Sequence, residues 1–293
     1  MSRPESHLFP WHEDSAFFLA AVNFTTQVTT FSSRLVEKDY FCSILLEYLT
    51  TAGNALVFKG GTCLAKIHAD FYRLSEDLDY VVSMPVDSSR SERSKMATGL
   101  KDIVNALPDR LPCFRVVEPL TGANNSTQYN AMIGYHSQIV GKEETIKVEV
   151  GLREPLLLPS ETGMAKTLLL NPTTAKPLCE PLVLNCMSKR EAFAEKFRAA
   201  LSRREAAVRD LFDLDYAVRE LGLQPKDGGL IELVRQKLAV PGNEPVDISP
   251  ERFAALRQQL DTELRTVLRE KDFREFDLER AFRIVKDVAA IIG

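Results

Sequence analysis

The stretch KGGTCLAKIHADFYRLSEDLD, residues 59–79, decides how the rest of the chain is read. A glycine pair and a threonine open it, and two aspartates two residues apart close it. Gly60, Gly61 and Thr62 predict a phosphate-cradling turn, because glycine lets the backbone approach an anion and the Thr62 hydroxyl can donate to one. If the segment around them is a strand, Asp77 and Asp79 project from one face, since strand side chains alternate. Two carboxylates on one face repel unless a cation lies between them. Magnesium suits such hard oxygen ligands and binds them together with substrate phosphates. Turn and carboxylates together point to chemistry on a nucleoside triphosphate.

Commoner phosphate motifs are absent. A Walker A loop needs lysine directly after the glycine, and a dinucleotide fingerprint needs G-x-G-x-x-G. What remains is a strand at 55–59, the turn, a helix over about 62–72, and a strand at 77–83. In that last strand Leu78, Tyr80 and Val82 face one way, while Asp77, Asp79 and Val81 face the other. Lys59 and Lys66 are phosphate ligands or surface lysines, and Ser75 contacts phosphate or ends a helix.

Outward from this stretch, residues 13–34 and 37–52 read as helices, the second with an apolar stripe of Phe41, Ile44, Leu45, Tyr48 and Leu49. Residues 89–107 read as a helix ending before Pro108. Strands are expected at 114–118, 127–137 and 145–151. In the third, Ile146, Val148 and Val150 share an apolar face, which leaves Glu149 placed to join Asp77 and Asp79 as a third carboxylate. Lys147 and Arg153 are weaker, solvent-exposed anion-binding candidates. The proline-rich residues 155–181 read as a domain crossing, and the chain beyond Met187 as helical, with breaks at 222–229 and 241–250.

Composition sets outer limits. The 293 residues are 45% hydrophobic and 27% charged, as in ordinary globular proteins, and the net charge of −4 does not announce a nucleic-acid partner. Between 189 and 209 lie seven Lys and Arg, but Glu191, Glu195 and Glu205 interleave with them, as on a solvated helix face. The five cysteines form no C-x-x-C pair, so a reducing compartment and no zinc site are expected. Glu5, His7, His12, Glu13 and Asp14 give a polar, mobile start without a leader sequence. No apolar run approaches the roughly 18 residues of a membrane span, so a cytoplasmic protein without a membrane partner is expected.

The order of strand, glycine pair, short helix and D-x-D resembles the polymerase-β-like nucleotidyltransferase superfamily. A finer resemblance is to the AbiEii/AbiGii-type toxin nucleotidyltransferases of abortive-infection and toxin–antitoxin systems. It rests on VEKDYF (36–41), FKGGT (58–62), RLSEDLD (73–79) and EKFRAALSRREAAVRDLFDLD (195–215). The resemblance implies an α+β fold, with a mixed-sheet nucleotidyltransferase core, flanking helices and a helical C-terminal domain that leaves a cleft. The expected domains are N-terminal helices at 1–54, the core at 55–180 and the helical domain at 181–293.

The same resemblance implies Mg2+ held by Asp77, Asp79 and Glu149, with a nucleoside triphosphate on Lys59, Gly60, Gly61, Thr62, Lys66 and Ser75. It puts Lys196 on the triphosphate and Asp210 beside it, as a base or an orienting group, with Asp213 the rival aspartate. Arg209 and Asp213 could equally form a plain i,i+4 ion pair. The implied acceptor is RNA, with a tRNA 3′ end as one such acceptor, and the implied partner is a cognate antitoxin. Two alternatives stay open: an enzyme that modifies protein hydroxyls, and a module that binds nucleotide or partner without turnover.

Overall fold

The computed structural model describes residues 10–293, so Glu5 and His7 lie outside the described residues. The chain divides into two compact units, one running to Leu156 and including Ser160–Met187, the other comprising Leu157–Pro159 and Ser188–Gly293.

In the first unit, seven strands among the described residues form one mixed sheet. They are β1 (Val57–Lys59), β2 (Leu78–Val81), β3 (Phe114–Ala123), β4 (Gln128–His136), β5 (Glu143–Gly151), β6 (Glu161–Ala165) and β7 (Leu182–Cys186). Their order is β3-β4-β5-β2-β1-β7-β6, with β2–β5 and β1–β7 parallel and the other neighbours antiparallel. Short β2 therefore sits between strands from distant parts of the sequence. Phe58, Leu78, Tyr80, Val148 and Val150 are buried, as alternation requires of one face of a half-covered sheet.

Two helices, α1 (Ser15–Thr29) and α2 (Ser33–Leu49), pack together at the start of this unit. Asp14 and Ser32 cap them by accepting from Phe17 N–H and Leu35 N–H. His12, expected in a mobile start, packs on Tyr40 and Phe41 and lies 2.9 Å from the Tyr40 hydroxyl.

After the glycine turn comes a single helical stretch, α3 (Gly60–Cys63), continuing as a π-turn over Leu64–His68. The helix expected over 89–107 is three short ones: α4 (Arg90–Met96), α5 (Thr98–Asn105) and α6 (Leu107–Arg110). Pro108 sits in the first turn of the last of them rather than stopping its predecessor, since a first-turn proline lacks an N–H the helix would leave unbonded anyway. Within the expected domain crossing at 155–181 lies strand β6, which pairs with β7 at the sheet edge. The second unit is helical: α7 (Lys189–Ser202), α8 (Val208–Glu220), α9 (Gly228–Ala239), α10 (Pro250–Gln259), α11 (Glu270–Glu275) and α12 (Leu278–Ile292). No helix among the described residues is long and apolar enough to cross a membrane.

Helix α2 is buried on nearly every side, yet carries three consecutive charges. Glu37 accepts from the Ser137 hydroxyl and from the Gln138 and Ile139 N–H groups at 2.7 and 3.3 Å. Lys38 reaches Glu76 at 2.8 Å, and Asp39 pairs with Lys66 at 2.6 Å. Arg34 also holds Glu76, at 3.0 Å.

Burial alone would raise the Glu76 carboxyl, but the Arg34 and Lys38 hydrogen bonds and charges outweigh it and hold it down at about 2. A depressed carboxylate stabilises the fold above its ordinary value of 4.5, and that contribution disappears as pH falls toward about 2. Wild-type protein should therefore lose roughly 1–2 kcal/mol between pH 5 and 2.5 through this group, after allowance for solvent screening. Glu76→Gln should be less stable at neutral pH and show a flatter acid limb, measured by urea titrations across that range.

Candidate active site

The β1–β2 and β2–β5 registers bring the motif residues together. Lys59 stands opposite Asp79, and Asp79 opposite Glu149. Residues paired across neighbouring strands share a face, so Lys59, Asp79 and Glu149 form a row, which Asn130 extends from β4. Asp77 lies just ahead of β2, two residues from Asp79.

Gly60 has φ +78°, a conformation that other residues rarely adopt, and a Cβ on it would fall on the Asp79 carboxylate. At Gly61 a Cβ would stand 2.6 Å from an Arg73 guanidinium nitrogen and 3.0 Å from Ser75 Oγ. The turn is thus closed on one side by Asp79 and on the other by Arg73 and Ser75.

Lys147 lies on the same face of β5 as Glu149 and bonds its carboxylate at 2.7 Å. Burial lowers the Lys147 pKa, but the Glu149 hydrogen bond and the charges of Glu149, Asp77 and Asp79 raise it above its ordinary value. One lysine therefore feels all three carboxylates. It is half-buried, where the sequence suggested a solvent-exposed residue.

Two expected phosphate ligands are engaged elsewhere. The Thr62 hydroxyl donates to the Asp77 carbonyl, tying the turn to the D-x-D segment. Lys66 is 1% exposed, and its ammonium is held by the Asp39 carboxylate and, at 2.8 Å, by Ser43 Oγ. The π-turn swings the lysine toward α2, a direction that residue spacing does not reveal. Arg73 was part of the motif but had no role assigned to it. It is buried, and only the fold shows its guanidinium against Gly61.

In the second unit, Lys196 on α7 lies 2.7 Å from Asp210 and 2.8 Å from Asp213 on α8. Three residues apart, the two aspartates share a helix face. Both bond the same ammonium. Arg203 approaches the other Asp210 oxygen at 3.5 Å.

The sequence model of the AbiEii toxin nucleotidyl transferases, a type IV toxin–antitoxin family, matches residues 44–286. The chain belongs to this family. It is accordingly a nucleotidyltransferase of toxin–antitoxin type, acting on a nucleoside triphosphate. No curated protein matches the chain. Among solved structures it is similar to JHP933 from Helicobacter pylori, at 15% identity and TM-score 0.49, over 89% of this chain and 93% of that one. It is also similar to a candidate nucleotidyltransferase from H. pylori, at 15% identity and TM-score 0.46, over 93% and 94% of the two chains.

Two substitutions separate the structural residues of this AbiEii-family site from those that meet substrate. Lys66→Met leaves Asp39 buried without its cation and should cost about 3–5 kcal/mol of stability, while changing triphosphate affinity less than twofold in the folded protein, by calorimetry. Gly60→Ala should cost about 1–3 kcal/mol through its backbone conformation and abolish triphosphate binding by displacing Asp79.

Proposed function

We propose that this protein transfers nucleotides from a triphosphate to an RNA acceptor, a tRNA 3′ end, in a magnesium-dependent reaction in the cytoplasm. A cognate antitoxin would oppose it, as part of an abortive-infection response. The observation that carries the donor half is the row Lys59, Asp79 and Glu149 beside a turn with no side chains. The acceptor and the antitoxin rest on family membership.

The donor set fits magnesium, for Asp77, Asp79 and Glu149 offer carboxylate oxygens alone, with no thiolate or imidazole among them. These three would hold the ion. Bound there, it supplies charge neutralisation to the phosphates and lowers the pKa of the attacking hydroxyl. In the reaction the acceptor oxygen bonds to the α-phosphorus as the bond to the β-phosphate oxygen breaks, and pyrophosphate leaves.

The chain's own residues orient the donor. Gly60 and Gly61 admit phosphate oxygens to the backbone, Lys59 and Arg73 supply positive charge at the turn, and the Ser75 hydroxyl donates to phosphate. Lys147 holds Glu149 in place. By resemblance, Lys196 serves the triphosphate, and Asp210 orients its ammonium.

Incubating the protein with labelled triphosphates, magnesium and total RNA should label RNA, and chelation should stop it. Asp77→Asn and Asp79→Asn should lower incorporation at least about a hundredfold. Label appearing on protein instead would overturn the acceptor assignment. Undiminished activity in both variants would overturn the site.

A further inference from the structure

On the buried side of the sheet from the carboxylate row, the fold gathers three soft ligands that no spacing in the sequence foretells. Cys63 lies at the end of α3, His68 at the end of the π-turn, and Cys186 at the end of β7. One ligand atom from each falls within 4.8 Å of the others. Both cysteines are fully buried, and His68 is half-buried.

We propose that Cys63, His68 and Cys186 bind one zinc ion, at a site separate from the carboxylates that serve the triphosphate. Two sulfurs and an imidazole are the donor set that zinc prefers and magnesium avoids. The imidazole is already oriented, with Nε2 3.0 Å from the Met187 carbonyl oxygen, the kind of outer contact that fixes a ligating histidine. Room for the Cys186 sulfur is made by Gly163, where a Cβ would stand 2.8 Å from Sγ and 2.8 Å from Ile67 Cγ2. Glu161 stands opposite Cys186 in the β6–β7 register.

The thiols are also differentiated. Cys186 is in hydrogen-bond contact with both Cys63 and His68, whereas Cys63 lies wholly within the core. Zinc binding would displace the thiol protons to solvent and leave a dithiolate. The ion would then pin the end of the helical stretch that begins at the glycine turn to the strand beside β1.

The full chain, kept reduced, should bind one Zn2+ per molecule by elemental analysis. Co2+ in its place should give a thiolate-to-cobalt charge-transfer absorption. Altering outer contacts of a metal typically weakens it about 10–100-fold, so Cys186→Ser, which removes a ligand, should weaken Zn2+ by more than about a hundredfold and abolish the absorption. His68→Gln, at a half-buried position that spares the core, should also weaken Zn2+ by at least about tenfold, with circular dichroism confirming the fold. Asp79→Asn should keep both the zinc and the cobalt absorption while losing nucleotide transfer, so the two sites fail independently. Absence of the thiolate absorption, unchanged zinc affinity in His68→Gln, or loss of zinc in Asp79→Asn alone would overturn the proposal.

Discussion

The candidate site depends on one fit across the β1–β2 pair, where Gly60 has no side chain and the Asp79 carboxylate occupies the space that one would fill. The antiparallel register that sets Lys59 opposite Asp79 brings the end of β1 to this point, and the positive φ of Gly60 then turns the chain away into α3. A side chain there would strain the backbone and collide with the first carboxylate of the row. The parallel β2–β5 pairing adds Glu149 beside Asp79 from far along the sequence. Turn, carboxylate row and strand order are therefore one constraint.

Helix α2 holds this arrangement from behind. Successive residues on a helix point about 100° apart, so three adjacent charges cannot share one partner. Glu37 takes the loop after β4, Lys38 takes Glu76, and Asp39 takes Lys66 together with the Leu168 N–H at 2.9 Å. Each carboxylate is satisfied by donors fixed in the fold, which is what makes its burial tolerable. Glu76 directly precedes Asp77, so the Arg34 and Lys38 ion pairs also position the start of the D-x-D segment.

Much of this was legible in the sequence because it is local. Glycine pair, D-x-D and alternation in β5 are spaced by backbone geometry alone, and Asp79 and Glu149 share a face as alternation requires, while Asp77 lies just ahead of the strand expected to contain it. What escaped is set by non-local pairing. The segment ETGMA has few β-formers, and its strand β6 exists through pairing with β7. The direction of Lys66 follows from a π-turn, which no periodicity announces. Arg73 and the Cys63, His68 and Cys186 group acquire meaning only when distant elements meet. Thr62 was legible as a polar residue at the turn, but its acceptor, the Asp77 carbonyl, is fifteen residues away in the chain.

The buried and half-buried carboxylates of the first unit fall into two kinds, and the difference bears on function. Glu37, Asp39 and Glu76 each meet hydrogen-bond donors or cations held rigidly by other elements. Asp79 and Glu149 also share one face of the sheet, with Asp77 just ahead of it, and all three act together on Lys147, which bonds Glu149 at 2.7 Å. Two like charges about 5 Å apart repel by roughly 3 kcal/mol at an effective dielectric of about 20, and the Lys147 ammonium offsets that repulsion here. Under the function proposed, a cation arriving with the triphosphate would add to the neutralisation that Lys147 gives this face.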